Sequence, residues 1–343
     1  MFVDNFLKNS ASKYPDKTAI IHGNSRMAYS ELLDRSMHLA ASLQEHGLRR
    51  GDRVIIALNN SIEYLVAYFG IQLAGGVVVA VNPDIKPRGL HKIAADCKPS
   101  GIITTSGFIR LLEADKEKCP FRFIIAQGGR KTERTDNMPI FSFDELCKHE
   151  EAINSNGRAE EDLAAIIYTS GTTGEPKGVM LSHKNLSANA HSIVSYLSLS
   201  EKDSVMVVLP FYYSYGNSLL LTHIMQGGTL IVDNRFMYPN VVLDAMQREE
   251  VTGFAGVPST FAILLNRSNF KSCSLPSLRY ITQAGGPMPH SMAYEILKVV
   301  PHAKLYIMYG QTEASARLSY LHPDDLHRKH GSVGKAIPGV LLQ

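Results

Sequence analysis

Short apolar runs alternate with stretches of helical period through most of the chain. Leu32, Leu33, Met37, Ala40 and Leu43 recur at helical spacing, with Ser30 placed to cap that helix and Gly47 to end it. Gly51-Asp52-Arg53 turns into a strand expected over residues 54–58, and a helix over 61–73 and a strand over 77–81 follow. Residues 102–104, 123–126 and 163–168 read as further strands. The second half repeats the theme, with strands predicted at 205–209, 229–232, 253–256, 278–282 and 304–308 and helices over 217–225 and 238–250. The polar stretches 128–137 and 150–162 read as surface loops. The apolar runs are continuous and β-branched instead of alternating, which indicates strands buried on both faces. Repeated strand–helix order then predicts an α/β fold with two mainly parallel, helix-flanked sheets in one large lobe.

The apolar run 65–81, broken only by Gln72, has to be weighed as a membrane span. It falls short of the roughly 20 residues a span needs, and Gly75-Gly76 divides it, so a buried helix and strand are expected and no transmembrane segment. With 343 residues, two subdomains are expected: 51–190 around the first sheet, and 1–50 with 191–325 around the second, leaving 326–343 as the start of a further region. A hydrophobic fraction of 45% with 20% charged residues excludes a disordered chain. The formal charge of +3 is too small to imply a nucleic-acid partner. Cys97, Cys119, Cys147 and Cys273 have no metal-ligand spacing and read as reduced thiols, and the first residues lack the order of a signal peptide, so a cytoplasmic protein is expected.

One segment stands out chemically. Tyr168-Thr169-Ser170-Gly171-Thr172-Thr173-Gly174-Glu175-Pro176-Lys177-Gly178 follows a buried strand. Its small residues let backbone N–H groups approach a ligand, its hydroxyls add donors, and Lys177 adds a charge: the composition of a polyphosphate cradle. It is not a P-loop, because Pro176 stands where that spacing requires glycine. A plain Gly/Ser/Thr-rich surface loop is the bland alternative. Ser170 lacks the G-x-S-x-G elbow of a hydrolase nucleophile. His322, Asp324, Asp325, His327 and His330 lie in a polar connection and read as a solvated turn, not a metal site.

The eleven-residue string resembles the signature of the adenylate-forming superfamily of acyl-CoA synthetases, aryl-CoA ligases, luciferases and peptide-synthetase adenylation domains. Further motifs are similar in the family's order: Tyr29-Ser30-Glu31-Leu32; Leu73-Ala74-Gly75-Gly76 through Val81-Asn82-Pro83; Leu209-Pro210-Phe211-Tyr212-Tyr213-Ser214-Tyr215-Gly216; Tyr309-Gly310-Gln311-Thr312-Glu313; and Gly331-Ser332-Val333-Gly334-Lys335. Gly256-Val257-Pro258-Ser259-Thr260 and Ala284-Gly285-Gly286-Pro287 resemble the loops beside the ligand pocket. The resemblance implies ATP- and Mg²⁺-dependent conversion of a carboxylic acid to an acyl-adenylate, then transfer to CoA or to a carrier-protein phosphopantetheine. By resemblance, Thr169, Ser170, Gly171, Thr172, Thr173, Gly174 and Lys177 hold phosphates. Glu313 ligates Mg²⁺, Thr312 hydrogen-bonds near the α-phosphate, Tyr309 stacks on adenine beside Ala284, Gly285 and Gly286, and Gly310 and Gln311 complete that loop. A non-catalytic nucleotide-binding module is the alternative from another class.

Adenylation domains for α-amino acids carry Asp where Tyr212 stands, to bind the ammonium, so a fatty, aryl or other ammonium-free acid is expected. Tyr213, Tyr215, Gln283 and Met308 are the acyl-pocket candidates, and Arg235 falls near the place of a basic residue for CoA. In the family, a β-barrel subdomain and a mobile C-terminal domain follow the sixth motif. Both are expected to be largely absent from a chain ending at Gln343, which would adenylate poorly and form essentially no thioester.

Overall fold

The computed structural model describes residues 1–114, 121–128, 133–135, 138–148, 153, 157–170 and 175–342, without the side chains of 113, 133–135, 138 and 170. These fall into two compact units, Met1–Asp16 with Met27–Ser187, and Lys17–Arg26 with Ala188–Gln343.

In the first unit an eight-stranded sheet runs in the order Pro176–Ser182, Leu163–Ser170, Val77–Ala80, Arg53–Ala57, Gly101–Thr105, Phe123–Gln127, Met138–Ser142, Glu133–Thr135. The inner pairs are parallel and the outermost pair at each edge is antiparallel. The helix Ile62–Leu73 is capped by Ser61, whose Oγ accepts from the Tyr64 N–H at 3.1 Å. Every residue of it except Glu63 is buried, because it packs against the helices Asp4–Lys13 and Tyr29–Glu45 on one side and the strands Arg53–Ala57 and Val77–Ala80 on the other. A helix apolar all round is a core helix here. Among the described residues no helix is long and apolar enough to cross a membrane.

The nine-stranded sheet runs Lys335–Ala336, Ser319–Leu321, Lys304–Tyr309, Tyr280–Gln283, Gly253–Gly256, Ser204–Val207, Thr229–Val232, Thr18–His22, Ser25–Ala28. From Lys304–Tyr309 to Thr18–His22 all neighbours are parallel. Chain order reverses at Ser204–Val207. The next strand in sequence, Thr229–Val232, lies on one side of it, and Gly253–Gly256 lies on the other. Such a switch point opens a crevice at the carboxyl ends of the strands.

Several expectations need correction. Residues 1–50 divide: 17–26 belong with the second unit, whereas the helices Asp4–Lys13 and Tyr29–Glu45 pack on Ile62–Leu73 in the first. Ser30 is not a cap. Its hydroxyl donates to the Pro15 carbonyl at 2.9 Å, the helix starts one residue earlier, and Glu31 accepts from the Ala28 N–H at 2.9 Å. Within 128–137, expected as a loop, Glu133–Thr135 is a strand paired with Met138–Ser142, while 129–132 and 136–137 lie outside the described residues, as does most of 150–156. Lys335–Ala336 ends the nine-stranded sheet as an edge strand. The described cysteines, Cys97, Cys147 and Cys273, are free, and burial pushes the Cys147 thiol up to about 12; Cys119 lies outside the described residues.

Two buried histidines set an acid limit. His183, in the first unit, accepts the Val3 N–H on Nδ1 at 3.2 Å. His223, in the second, faces the Leu219 carbonyl with Nδ1 and the Tyr280 hydroxyl with Nε2. The Leu219 oxygen requires a proton on Nδ1, so Nε2 is the acceptor. Burial lowers both rings from 6.5 to about 4. The unfolded rings protonate first as pH falls. Stability is therefore complete above about pH 6.5 and declines toward pH 4, by on the order of 1–2 kcal/mol per histidine at pH 5. Urea unfolding at pH 7 and pH 5 should show that loss. His183→Gln, which keeps an acceptor without a titration, should shrink it. A flat profile between those pH values would overturn the assignment.

Candidate active site

The four motif loops of the second unit leave the carboxyl ends of four consecutive neighbours in the parallel sheet. Residues 209–216 follow Ser204–Val207, 257–260 follow Gly253–Gly256, 284–287 follow Tyr280–Gln283, and 310–313 follow Lys304–Tyr309. Parallel strands start and stop in register, so the loops emerge along one edge. Ser214 and Thr312, from the first and last of them, meet with their hydroxyl oxygens 3.3 Å apart.

Close packing explains the glycines of two motifs. A Cβ at Gly310 would lie 1.7 Å from the Ala316 carbonyl oxygen, and one at Gly216 would lie 2.0 Å from that of Pro210. Only glycine lets the backbone pass there. Gln283 is fully buried and donates through Nε2 to the Gly286 carbonyl at 2.7 Å, which pins the 284–287 loop. Its Oε1 has no partner among the described residues. Glu313 sits in a short 3-10 turn, Thr312–Ala314, exposed and without a hydrogen bond or ion pair among the described residues. An exposed, unpaired carboxylate on a loop anchored by its backbone fits a hard divalent cation.

Gly285, Gly286, Tyr309 and Gly310 line one cavity of about 500 Å³. Tyr309 is 45% exposed beside it, as a stacking face requires. The far wall was not foreseen from the sequence. His330, expected in a solvated turn, packs edge-on to His290 with ring centroids 3.8 Å apart, and both line the cavity with Ser332. In the same connection Asp325 holds Lys329 at 3.0 Å and Arg328, and their hydrogen bonds keep its carboxyl below the ordinary range. Among the described residues no three metal-ligating side chains come together.

Of the acyl-pocket candidates, Tyr215, Gln283 and Met308 are buried, whereas Tyr213 is 53% exposed at the start of the helix Ser214–Gln226. The Tyr215 hydroxyl bonds to Thr282 at 2.8 Å, and Met308 Sδ accepts from the Tyr196 hydroxyl at 3.0 Å. Tyr212 is tilted against Tyr213 with centroids 4.6 Å apart. Arg235 is held by Asp233 through Nη2 at 2.6 Å and Nε at 3.1 Å.

The segment 168–178 belongs to the first unit. It is not a strand followed by a free loop. Leu163–Ser170 and Pro176–Ser182 form an antiparallel hairpin in which Thr169 pairs with Lys177 and Ser170 with Pro176. Lys92 binds Glu175, the residue before the second strand, at 2.7 Å. Gly171, Thr172, Thr173 and Gly174, between the two strands in sequence, lie outside the described residues. Lys177 is exposed, and no carboxylate pairs with it among the described residues, which leaves its charge for a ligand.

Known proteins place this arrangement. A long-chain-fatty-acid–CoA ligase of Salmonella typhimurium is 30% identical over 97% of this chain, which spans 64% of that ligase's length. The crystal structure of the N-terminal domain of FACL13 from Mycobacterium tuberculosis superposes with a TM-score of 0.86 at 22% identity, covering 98% of this chain and 83% of that one. VinN, solved with L-aspartate, gives a TM-score of 0.83 at 26% identity, covering 99% of this chain and 83% of its own. The AMP-binding enzyme model matches residues 7–343, and the chain belongs to that family.

Proposed function

We propose that the chain is the adenylate-forming part of an acid–thiol ligase. It activates a carboxylic acid without an α-ammonium group by joining it to the α-phosphate of ATP, with release of pyrophosphate, and the acyl group then passes to CoA. The observation that carries this reading is the emergence of four motif loops from neighbouring parallel strands along one sheet edge, with the Ser214–Thr312 contact joining the first to the last.

The reaction brings a carboxylate to a polyphosphate, so its barrier is lowered mainly by positioning and charge neutralisation. In this reading Thr169, Ser170, Gly171, Thr172, Thr173 and Gly174 hold the β- and γ-phosphates, with Lys177 supplying the charge. Ala284, Gly285, Gly286, Tyr309, Gly310 and Gln311 enclose adenine, and Thr312 donates beside the α-phosphate. Glu313 holds Mg²⁺, which when bound neutralises phosphate charge.

The acid is chosen by Tyr213, Tyr215, Gln283 and Met308. Tyr212 offers no negative charge to an ammonium group. The Salmonella relative is named for a fatty acid and VinN was solved with L-aspartate, so both classes belong in the test. ATP–pyrophosphate exchange should be supported by fatty, aryl or dicarboxylic acids, with common α-amino acids near the no-acid background. Exchange with L-aspartate or another α-amino acid that exceeds all ammonium-free acids would overturn this choice. Acid-independent release of phosphate would overturn the ligase reading itself.

A further inference from the structure

Arg317 is 3% exposed, yet among the described residues no carboxylate oxygen lies within 4.0 Å of its guanidinium. Arg158, buried as well, is neutralised by Asp4 at 3.0 Å, and the partly exposed Arg279 by Asp203 at 2.8 Å. Arg317 has long contacts instead: Nε to Met308 Sδ at 3.3 Å, Nη2 to Ser218 Oγ at 3.3 Å, and Nη1 to the Ala316 carbonyl at 3.5 Å. Its guanidinium carbon lies 4.0 Å from the centre of the Tyr215 ring. A fork of five N–H donors is thus held by a thioether, the hydroxyls of Ser218 and Tyr196, one carbonyl and a π face, none of them an anion. A buried cation without an anion is costly, and the fold keeps it.

The backbone is bent to place it there. Ser315 and Ala316 have φ of 57° and 105°, a left-handed pair without a glycine. Such strain persists only where its surroundings enforce it, and it gathers at functional sites. The turn is held on both sides, by the Ala316 N–H on the Gln311 carbonyl at 3.3 Å and by Asn189 Nδ2 on the Arg317 carbonyl at 2.8 Å.

The position is specific. Two of the acyl-pocket residues, Tyr215 and Met308, touch the guanidinium directly. Tyr215 is the neighbour in sequence of Ser214, which meets Thr312 where the carboxylate is to be activated. An alkyl tail laid against Tyr215 and Met308 would leave the charge facing methylene groups. A tail ending in a carboxylate would give the fork the bidentate partner it lacks.

We infer that Arg317 selects acids that carry a second anionic group, so that the substrate class is a dicarboxylic acid. This rests on the acid-activating reading above. The other anion within that reading is the adenylate phosphate, and the test separates the two.

Stable sulfamoyl analogues of the acyl-adenylate, with butyryl, valeryl or hexanoyl tails, are compared by calorimetry with their succinyl, glutaryl and adipoyl counterparts. At least one carboxylated analogue should bind about 10–100-fold more tightly than its alkyl match, the range for a charge-assisted pair. In Arg317→Met that ratio should fall toward one, and Arg317→Lys should retain part of it. If the parent chain prefers every alkyl analogue, the inference is wrong, and this comparison needs no variant to fold. If Arg317→Met weakens both series equally while remaining folded by circular dichroism, Arg317 serves the phosphate and the inference is also wrong. If neither series binds and ATP does not bind either, the acid-activating reading fails, an outcome distinct from both.

Discussion

Asp4→Ala is expected to destabilise the first unit by about 3–5 kcal/mol, the cost of removing one partner from a buried ion pair. Asp4 is fully buried in the first turn of the helix Asp4–Lys13. Arg158 grips its two oxygens with a parallel fork at 3.0 Å each, and Lys8 adds a contact at 2.9 Å. Burial pushes the carboxyl pKa up, but the hydrogen bonds from Arg158 and Lys8 outweigh it and hold the group below its ordinary value. Once the carboxylate is gone, the guanidinium stays buried with the Gln72 carbonyl at 3.0 Å and the Phe2 ring at 4.5 Å, neither of which neutralises it. Its Nε already has no partner among the described residues. The double variant Asp4→Leu with Arg158→Met removes both charges and should recover a good part of the loss. Urea unfolding of Asp4→Leu, Arg158→Met and the double closes the cycle. A single-variant loss below about 1 kcal/mol, the level of an exposed pair, would show that this contact does not hold the unit together.

The central strands were legible in the sequence because burial on both faces leaves continuous apolar runs such as Val77–Ala80 and Thr229–Val232. The family membership was legible because the motif residues answer to short-range geometry: Gly216 and Gly310 stand where a Cβ would strike a carbonyl only a few residues away. Long-range pairing was not legible. Thr18–His22 has a brief apolar stretch, and only its partner Thr229–Val232, more than 200 residues on, makes it a strand. Ser30 looked like a cap because the residue type fits, but Pro15 offered its hydroxyl a better acceptor. His330 and Arg317 were missed for the same reason. A polar residue in a polar or mixed segment has no periodic signal, and what matters in each case is a ring or a missing carboxylate brought near by the fold. The hairpin at Thr169 and Lys177 shows the converse. The motif marks the candidate residues, while the pairing that sets Thr169 opposite Lys177 is a matter of register, which no single strand encodes.

Glu313→Gln is expected to lower acid-dependent ATP–pyrophosphate exchange by about 10²–10³-fold, the range for removing one preorganised electrostatic stabiliser. The substitution keeps the side chain's size and replaces one anionic oxygen with an amide nitrogen, a poor ligand for a hard cation. The fold should not register it. The loop is anchored by its backbone, with the Leu318 N–H on the Tyr309 carbonyl at 2.9 Å and the Ser315 N–H on that of Thr312 at 3.0 Å, and the Glu313 side chain takes part in neither. Stability should therefore stay within about 0.5 kcal/mol of the parent, as for a surface change. The loss should appear as a raised Mg²⁺ requirement, partly recovered at high Mg²⁺. Glu313→Asp, which keeps the charge on a shorter stem, should fall between the two. ATP affinity measured without divalent cation should change little, or rise slightly, because the carboxylate repels phosphate when no metal lies between them. That sign separates a metal ligand from a residue that contacts the nucleotide directly. If Glu313→Gln titrates with Mg²⁺ like the parent, or loses metal-free ATP binding, the carboxylate is not the Mg²⁺ ligand, and the neutralisation of the departing pyrophosphate must be sought in other residues.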